Sequence, residues 1–245
     1  MKKFMKKGFV LIAVLLMLMV TVFADGTSEE KNVTVNGYDY RFWSSIGNNV
    51  AGRIYTQTTV CLDHMDSAPL GYMGGQARLY SSAGVLKKSS EWEYNTWTEH
   101  PSVLPRFSYE TSSGYYYSKG QARFYTGNGY ATYACTATPN YAPTRSVAKF
   151  ASVPIQRNGN GEIYGSEIFL GEMGVQPDLI LAEGTNGKIG YVRAKDMDDS
   201  CIMTPEQAML EMVSDEFKII PLYSSDGITV IGSFVLEPVE DIVSE

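Results

Sequence analysis

The side chains best suited to catalysis are few in this chain and lack the spacing of the common catalytic motifs. Its two histidines, His64 and His100, are not at helical i, i+4 spacing, and neither CxxC nor HExxH occurs. Ser146 and Lys149 fit the SxxK pattern of serine acyl-transferases, but the SDN-like and KTG-like elements that complete such a site are absent. We therefore predict no metal site, no cofactor and no acyl transfer.

Acidic side chains suggest two further kinds of site. Asp196, Asp198 and Asp199 offer oxygen ligands for calcium, but they lack the glycine and distal glutamate of an EF-hand, which favours a solvated acidic turn. Paired carboxylates of a glycoside hydrolase are the second kind, because four glutamates lie among aromatic residues: Glu91, Glu93, Glu99 and Glu110. Glutamates on the wet face of a sheet are the commoner explanation.

An internal repeat supplies the candidate binding residues. GQARLYS at residues 75–81 returns as GQARFYT at residues 120–126. Strand alternation separates the arginine and tyrosine of each copy from the apolar residues between them, and two outward-facing pairs are expected: Arg78 with Tyr80, and Arg123 with Tyr125. One interpretation is a face that binds a cell-wall glycan, since tyrosine rings and guanidinium donors suit sugars. The other is cross-strand stabilisation of a duplicated hairpin.

The three cysteines allow two interpretations. Cys61 and Cys135 both fall in strand-like runs, and a disulfide between them is one possibility in an oxidising exterior. The other is that these two and Cys201 are small buried hydrophobic residues, because an odd number of cysteines does not make a disulfide framework.

Two-residue alternation dominates residues 33–143 and predicts the elements that would position these side chains. Tyr38, Tyr40 and Phe42 alternate with polar residues, and the even-numbered residues of 54–62 alternate with polar ones in the same way. Glycine-containing turn clusters interrupt the pattern, and no helical stripe appears. This part of the chain is predicted to be an antiparallel β-sandwich, rich in tyrosine, of about seven strands.

Residues 144–245 are predicted to be a small acidic α+β module that follows a boundary at Pro143. Two hairpins are expected, one joining 178–182 to 189–193 and one joining 217–223 to 228–236. A short helix is expected after Thr204, because Pro205 suits the first helical position and Gln207 completes a capping box. The whole chain is therefore expected to be mainly β.

The first 24 residues have the three parts of a secretory signal peptide: four lysines, an apolar stretch over residues 9–22, and small residues around a cleavage site after Ala24. A flexible lead-in over residues 25–32 would follow. The alternative is an uncleaved anchor, which needs about 20 apolar residues. We expect a secreted chain that meets the membrane only through this segment before cleavage.

Charge is unevenly distributed along the chain. The formal net charge of −7 becomes −11 without the four lysines of the first 24 residues, and almost all of the excess lies in residues 144–245, which hold seventeen acids and seven bases. Such an acidic chain is a poor partner for nucleic acid, because affinity for phosphates requires clustered Lys and Arg.

A combination of short motifs in the second half resembles a known module. YGS at 164–166, PDLI at 177–180, GYVR at 190–193, TPEQA at 204–208 and IPLYSSDG followed by TVIG at 220–232 resemble a segment of uncharacterised secreted proteins of Gram-positive bacteria. Similar segments occur in proteins grouped with the β-lactam-sensing metallopeptidase family. The zinc motif of that family is absent here, so its enzymatic activity is not transferred, and the resemblance implies only secretion by a Gram-positive cell.

These observations lead to one expected function and two alternatives. We expect a secreted, non-enzymatic binding or interaction protein at or outside the bacterial cell envelope, with a cell-wall glycan or an envelope protein as its partner. The alternatives are a cell-envelope hydrolase that uses carboxylates and a secreted antagonistic, bacteriocin-like protein.

Overall fold

The computed structural model describes residues 26–48, 53–63, 67–110, 113–142, 155–169, 176–198, 203–212 and 217–238. The predicted signal peptide and its cleavage site after Ala24 lie outside the described residues, as do His64, the SxxK motif, Asp199 and Cys201. Within the described ranges the chain is mainly β, which confirms the predicted fold class.

The described part of the chain contains nineteen strands and two short α-helices. Its first half holds β1 (Gly26–Thr27), β2 (Lys31–Val35), β3 (Tyr38–Asn48), β4 (Ile54–Leu62), β5 (Met73–Gln76), β6 (Arg78–Ser81), β7 (Leu86–Ser90), β8 (Glu93–Tyr94), β9 (Ser102–Val103), β10 (Arg106–Tyr109), β11 (Tyr116–Ser118), β12 (Gln121–Tyr125) and β13 (Tyr130–Ala134). Its second half holds β14 (Gln156–Arg157), β15 (Ile163–Gly165), β16 (Leu179–Glu183), β17 (Ile189–Arg193), α1 (Ala194–Met197), α2 (Pro205–Glu211), β18 (Lys218–Tyr223) and β19 (Val230–Glu237).

The strands form three sheets. Sheet A contains β1, β2, β3, β4, β9 and β10, sheet B has the order β13-β12-β5-β8, and sheet C has the order β11-β6-β7-β19-β18-β17-β16-β15-β14. Sheets B and C both cover one face of sheet A. Phe42 of sheet A packs in a cluster with Phe124 of sheet B, and Ile46 of sheet A packs in a second cluster with Leu79 of sheet C. The even-numbered residues of β3 and β4 point into these clusters, as their alternation predicted.

Local signals in the sequence located several elements correctly. Both predicted hairpins are present, with β16 antiparallel to β17 and β18 antiparallel to β19. The capping box is also confirmed, since the Thr204 hydroxyl accepts from the Gln207 amide at 3.3 Å and the Gln207 side chain accepts from the Thr204 amide at 3.1 Å.

The predicted flexible lead-in over residues 25–32 is wrong for the part that the structure describes. β1 pairs with β3, and β2 begins at Lys31. The physical reason is the two-residue turn Asn36–Gly37, whose φ angles of 51° and 82° fold β2 back on β3 as an antiparallel neighbour.

The internal repeat forms the junction between sheets B and C. β12 pairs with β5 so that Gln121 lies opposite Gln76, and β11 pairs with β6 in the same register on the other side of the junction. The two copies thus run antiparallel with their equivalent glutamines opposite each other, and a local twofold relation equates Arg78 with Arg123. The apolar residues of the repeat face sheet A, and both arginines face away from it.

The two predicted domains, residues 33–143 and 144–245, share sheet C. Strand β7 of the first half is antiparallel to β6 and parallel to β19, and Leu86 of β7 also pairs with Ala182 of β16. Tyr80 and Leu86 belong to the same buried cluster as Ile180 and Phe234. A separate sandwich followed by a separate module is therefore not what the structure shows. The proposed boundary at Pro143 lies outside the described residues.

Candidate functional site

The Arg78 side chain is fully buried and makes four hydrogen bonds. Its Nη1 donates to both carboxylate oxygens of Glu167 at 3.0 Å, its Nε donates to Gln76 Oε1 at 2.8 Å, and its Nη2 donates to Gln121 Oε1 at 3.1 Å. Strand alternation was predicted correctly, but the expected exposure of Arg78 is wrong. The second half of the chain covers this face and supplies the carboxylate that allows a guanidinium to be buried.

Tyr80 is also buried, which contradicts its predicted exposure. Its hydroxyl donates to the carboxylate of Glu167, and its ring stacks on Tyr117 with centroids 5.2 Å apart. Burial, together with the charge of Glu167, raises the pKa of Tyr80 well above its ordinary value. The phenol therefore stays protonated at neutral pH and serves as a hydrogen-bond donor.

Glu167 lies just after β15, in a single turn of 3-10 helix over Glu167–Phe169. Burial alone would raise the pKa of this carboxyl, but the charges and donors of Arg78, Tyr80 and Lys119 outweigh it, and the pKa is lowered. Gln176 Nε2 adds a further hydrogen bond at 3.0 Å. The Glu167 carboxylate is therefore ionised and accepts hydrogen bonds from protein donors, which joins the two halves of the chain. Because it carries no proton, it is not available as a general acid.

Arg123, the equivalent residue in the second copy, is buried in a similar way. Its guanidinium lies over the Trp92 ring, 3.5 Å from the centroid, and donates to the Tyr94 hydroxyl at 2.7 Å, to the Asp198 carbonyl oxygen at 2.8 Å and to the Asp198 carboxylate. The expected exposure of Arg123 is wrong, because Asp198 of the second half covers it. Tyr125 alone of the four predicted residues stays partly exposed, and its hydroxyl donates to Gly127 at 3.0 Å.

The structure does not bring these four residues together as an exposed binding face. Each arginine of the repeat pairs instead with an acid of the second half, Glu167 or Asp198. The sequence signal for this pairing was the uneven charge of the two halves. Asp198 thus has a structural partner, and no group of acidic, cysteine or histidine side chains among the described residues is placed to hold a metal ion.

Cys61 and Cys135 are both free thiols, so the possible disulfide between them is not formed. The physical reason is strand alternation. Cys135 is buried in the cluster between sheets A and B, whereas Cys61 lies between Val60 and Leu62 on β4 and points to the opposite face of sheet A from them. The other interpretation, small buried hydrophobic residues, fits Cys135.

The four glutamates proposed for a hydrolase lie in different surroundings. Glu91 accepts from the Lys218 amide at 3.1 Å, Glu93 lies on β8, Glu99 is exposed beside Ser67, and Glu110 is 81% exposed near Arg53. Three cavities among the described residues, one beside Lys87 and Glu183 and the two described below, are each lined by at most one carboxylate. The geometry gives no support to a pair of catalytic carboxylates in these cavities.

A small cavity of about 150 Å³ brings Cys61, Asp63 and His100 together, with Arg41 beside them. A catalytic cysteine with a histidine as its general base and an aspartate beside it would use these residue types. Burial, the largest effect, raises the pKa of the Cys61 thiol, although Arg41 opposes the shift. The thiol is therefore protonated at neutral pH and is not the thiolate that such chemistry requires.

A larger pocket of about 470 Å³ lies between sheet A, sheet B and the second half of the chain. We call it the lysine pocket. Its lining is Lys31, Phe42, Lys119, Thr132, Tyr133, Ala134, Cys135, Thr136, Ala137 and Ile168. Strands β2, β3 and β13 supply half of this lining, and residues 135–137 follow β13 directly. Lys119 comes from the link between β11 and β12, and Ile168 follows Glu167.

Two ammonium groups border the lysine pocket. Lys119 is 8% exposed and its Nζ donates to the Glu167 carbonyl oxygen at 2.8 Å, while Lys31 Nζ donates to the Ala134 carbonyl oxygen at 3.0 Å. Burial lowers the pKa of Lys119; the nearby Glu167 opposes that shift, and the positive charges of Lys31 and Arg78 add to it. Burial raises the pKa of Cys135 to about 11, so its thiol is neutral.

Sequence reasoning missed the lysine pocket, although one signal was available. Lys119 immediately precedes the second copy of the repeat, at the position that Gly74 occupies before the first copy. Where two copies are otherwise so similar, a lysine in place of a glycine marks a position with a different environment.

Comparison of the chain with protein-family models, with curated proteins and with solved structures finds no match. The resemblance of the second half to a secreted module therefore stays a prediction. Among the described residues, no helix has both the length and the apolar character needed to cross a membrane.

Proposed function

We propose that this chain is a secreted, non-enzymatic binding protein that acts at or outside the bacterial cell envelope, and that the lysine pocket is its ligand-binding site. The observation that carries the proposal is a pocket of about 470 Å³ bordered by Lys31 and Lys119. Its volume falls in the range of small-molecule sites, about 300–1,000 Å³, and its mixture of apolar walls and a few polar groups is typical of them.

The chemistry of the lining favours binding over catalysis. No histidine or carboxylate is among the described residues that line the pocket, and its cysteine is a neutral thiol. A buried lysine can also act as a base or a nucleophile, but the Lys119 ammonium donates to the Glu167 carbonyl oxygen at 2.8 Å, a contact that favours its charged form. The two lysines instead attract and orient a negatively charged group.

The proposal is tested by retention of the mature chain, residues 25–245, on isolated Gram-positive cell walls. We expect the double variant Lys31→Gln/Lys119→Gln to lose about tenfold in retention, because both ammonium groups are removed while hydrogen-bonding side chains remain. Lys188→Gln is the matched control, since Lys188 is an exposed lysine in the turn between β16 and β17. Absence of retention, or equal retention of the double variant and the wild type, would overturn the proposal.

A further inference from the structure

We infer that the lysine pocket takes a small organic carboxylate with an apolar body, its carboxylate held between Lys31 and Lys119 and its body packed against Phe42, Tyr133 and Ile168. This inference rests on the proposed function, because it names the ligand class for the same pocket. Lys31, Lys119, Phe42, Tyr133 and Ile168 all lie in the part of the chain that the structure describes.

Charge supports a negatively charged ligand. Among the described residues, Lys31 and Lys119 each have one hydrogen-bond partner, a backbone carbonyl oxygen, and an ammonium group has three donors. The remaining donors of each have no partner in that part of the chain. The described lining contains no carboxylate, and the positive charge of Lys31 lowers the pKa of Lys119, so the two ammonium groups repel each other. An anion placed between them relieves this repulsion.

The walls of the pocket support an apolar body on that anion. Phe42 and Tyr133 form one wall, with ring centroids 6.1 Å apart and planes inclined at 52°. Ile168, from the second half of the chain, also lines the pocket. Phe42 is buried behind this wall, but Tyr133 and Ile168 are only partly buried and offer apolar surface to an aromatic or aliphatic substituent.

The donor set favours a carboxylate over a phosphate. Arginine, whose planar guanidinium binds phosphate in a bidentate manner, is absent from the described lining. The two ammonium groups can each donate to one oxygen of a single carboxylate, whereas a phosphate presents a third oxygen for which the described lining offers no further cation.

The ligand has two possible sources that share this chemistry, a free carboxylic acid and the carboxyl terminus of a short peptide. Isothermal titration of the mature chain with 3-phenylpropanoate and with N-acetylglycylphenylalanine distinguishes them, because the peptide adds a backbone before the terminal carboxylate. Saturable binding of either one supports the inference, and the tighter of the two identifies the source.

Neutral and truncated probes test each part of the inference. We expect 3-phenylpropanamide, which has the body without the charge, and acetate, which has the charge without the body, to bind at least about tenfold more weakly than 3-phenylpropanoate. Equal binding of the acid and the amide would overturn the role of the lysines. Tighter binding of inorganic phosphate than of acetate would overturn the choice of a carboxylate.

Variants connect the binding to the pocket. We expect Lys119→Gln and Lys31→Gln each to weaken 3-phenylpropanoate binding several-fold and the double variant to abolish it, with Lys188→Gln unchanged. Unchanged binding by the double variant would overturn the inference. If no carboxylate binds but cell-wall retention still depends on Lys31 and Lys119, the inference fails and the proposed function stands. If carboxylates bind and walls do not, the envelope ligand fails and the pocket assignment stands.

Discussion

At the scale of single residues, the buried ion pair of Arg78 and Glu167 is stable only if both charges have close partners. A charge taken out of water has a large desolvation cost, which only close partners offset. Arg78 meets this condition through two contacts with Glu167 at 3.0 Å and through the side-chain oxygens of Gln76 and Gln121. The pair therefore contributes specificity to the joining of the two halves, because either charge without the other would be very unfavourable in this position.

We expect Glu167→Gln to lower the free energy of unfolding by about 3–5 kcal/mol, the range for removal of one partner of a buried ion pair. Arg78 would stay charged, since a guanidinium is not deprotonated in proteins. Urea unfolding at pH 7 measures the loss. Glu110→Gln is the control, because Glu110 is 81% exposed and its contact with Arg53 is 3.6 Å long; a comparable loss there would contradict the explanation.

The loss of stability caused by Glu167→Gln depends on pH in a defined way. The pKa of Glu167 in the folded chain is lowered relative to its unfolded value of about 4.3, so its stabilisation is present above that value and is lost as pH falls through the lowered pKa. The glutamine variant has no such titration. The difference in stability between the two proteins should therefore shrink as the solution is acidified from pH 5.

At the scale of elements, the repeat determines how sheets B and C meet. Its two copies lie antiparallel with Gln76 opposite Gln121, and Gly120 lies immediately before that pair. A Cβ added at Gly120 would overlap the hydroxyl of Thr58 and approach the Gln76 carbonyl oxygen to 2.5 Å. The close approach of sheet A to this junction therefore requires a glycine, and the backbone has little room to move.

We expect Gly120→Ala to lower the free energy of unfolding by about 2–3 kcal/mol, as overpacking of a tight core position does. Gly159→Ala is the matched control, since no atom lies within 4 Å of its added Cβ. Thermal and urea unfolding of both variants measure the effect. Equal free energies of unfolding for the two variants would show that the backbone at the junction moves more easily than these distances indicate.

At the scale of the whole molecule, the uneven charge of the chain becomes an arrangement of ion pairs between its halves. Ion pairs between the halves, among the residues that the structure describes, include Arg78 with Glu167, Lys87 with Glu183, Lys88 with Glu237, and Arg123 with Asp198. Sheet C and one buried cluster also span both halves. Some of the excess acidic side chains of residues 144–245 therefore pair with basic side chains of the first half.

We expect the two halves to unfold in a single cooperative transition. Hydrogen exchange of the Phe42 and Val60 amides in sheet A reports on the first half, while hydrogen exchange of the Leu222 and Phe234 amides reports on the second. The free energies from the two probes should coincide, because the strands of sheet C that belong to the second half pair with β7. A distinctly lower value for the second half would restore the prediction of two independent domains.

Much of the fold was predictable from local patterns. The alternation of residues 38–62, the turn Asn36–Gly37 and the capping box of Thr204 with Gln207 each depend on neighbours within a few residues, and each appears in the structure. The order of residues 31 and 32 follows from that local turn, whereas the pairing of β1 with β3 joins residues about twenty positions apart, beyond what a local pattern can show.

The candidate site was predictable only in part. Alternation correctly placed Arg78 with Tyr80 on one face. Whether that face is exposed or buried depends on the part of the chain that covers it, and the covering residue Glu167 lies 89 residues further along the chain. The lysine pocket likewise joins Lys31, Lys119 and Ile168, which no spacing rule connects.

The sequence by itself determined the mainly β class, several of the strands and turns, the repeat and the balance of charge, since these follow from residue type and short spacing. Only the tertiary structure decided which face is buried and which cations meet in a pocket. The physical reason is that burial and electrostatic pairing depend on distances in space, and the chain brings these residues together through sheet C and the sheet junction rather than through proximity in sequence.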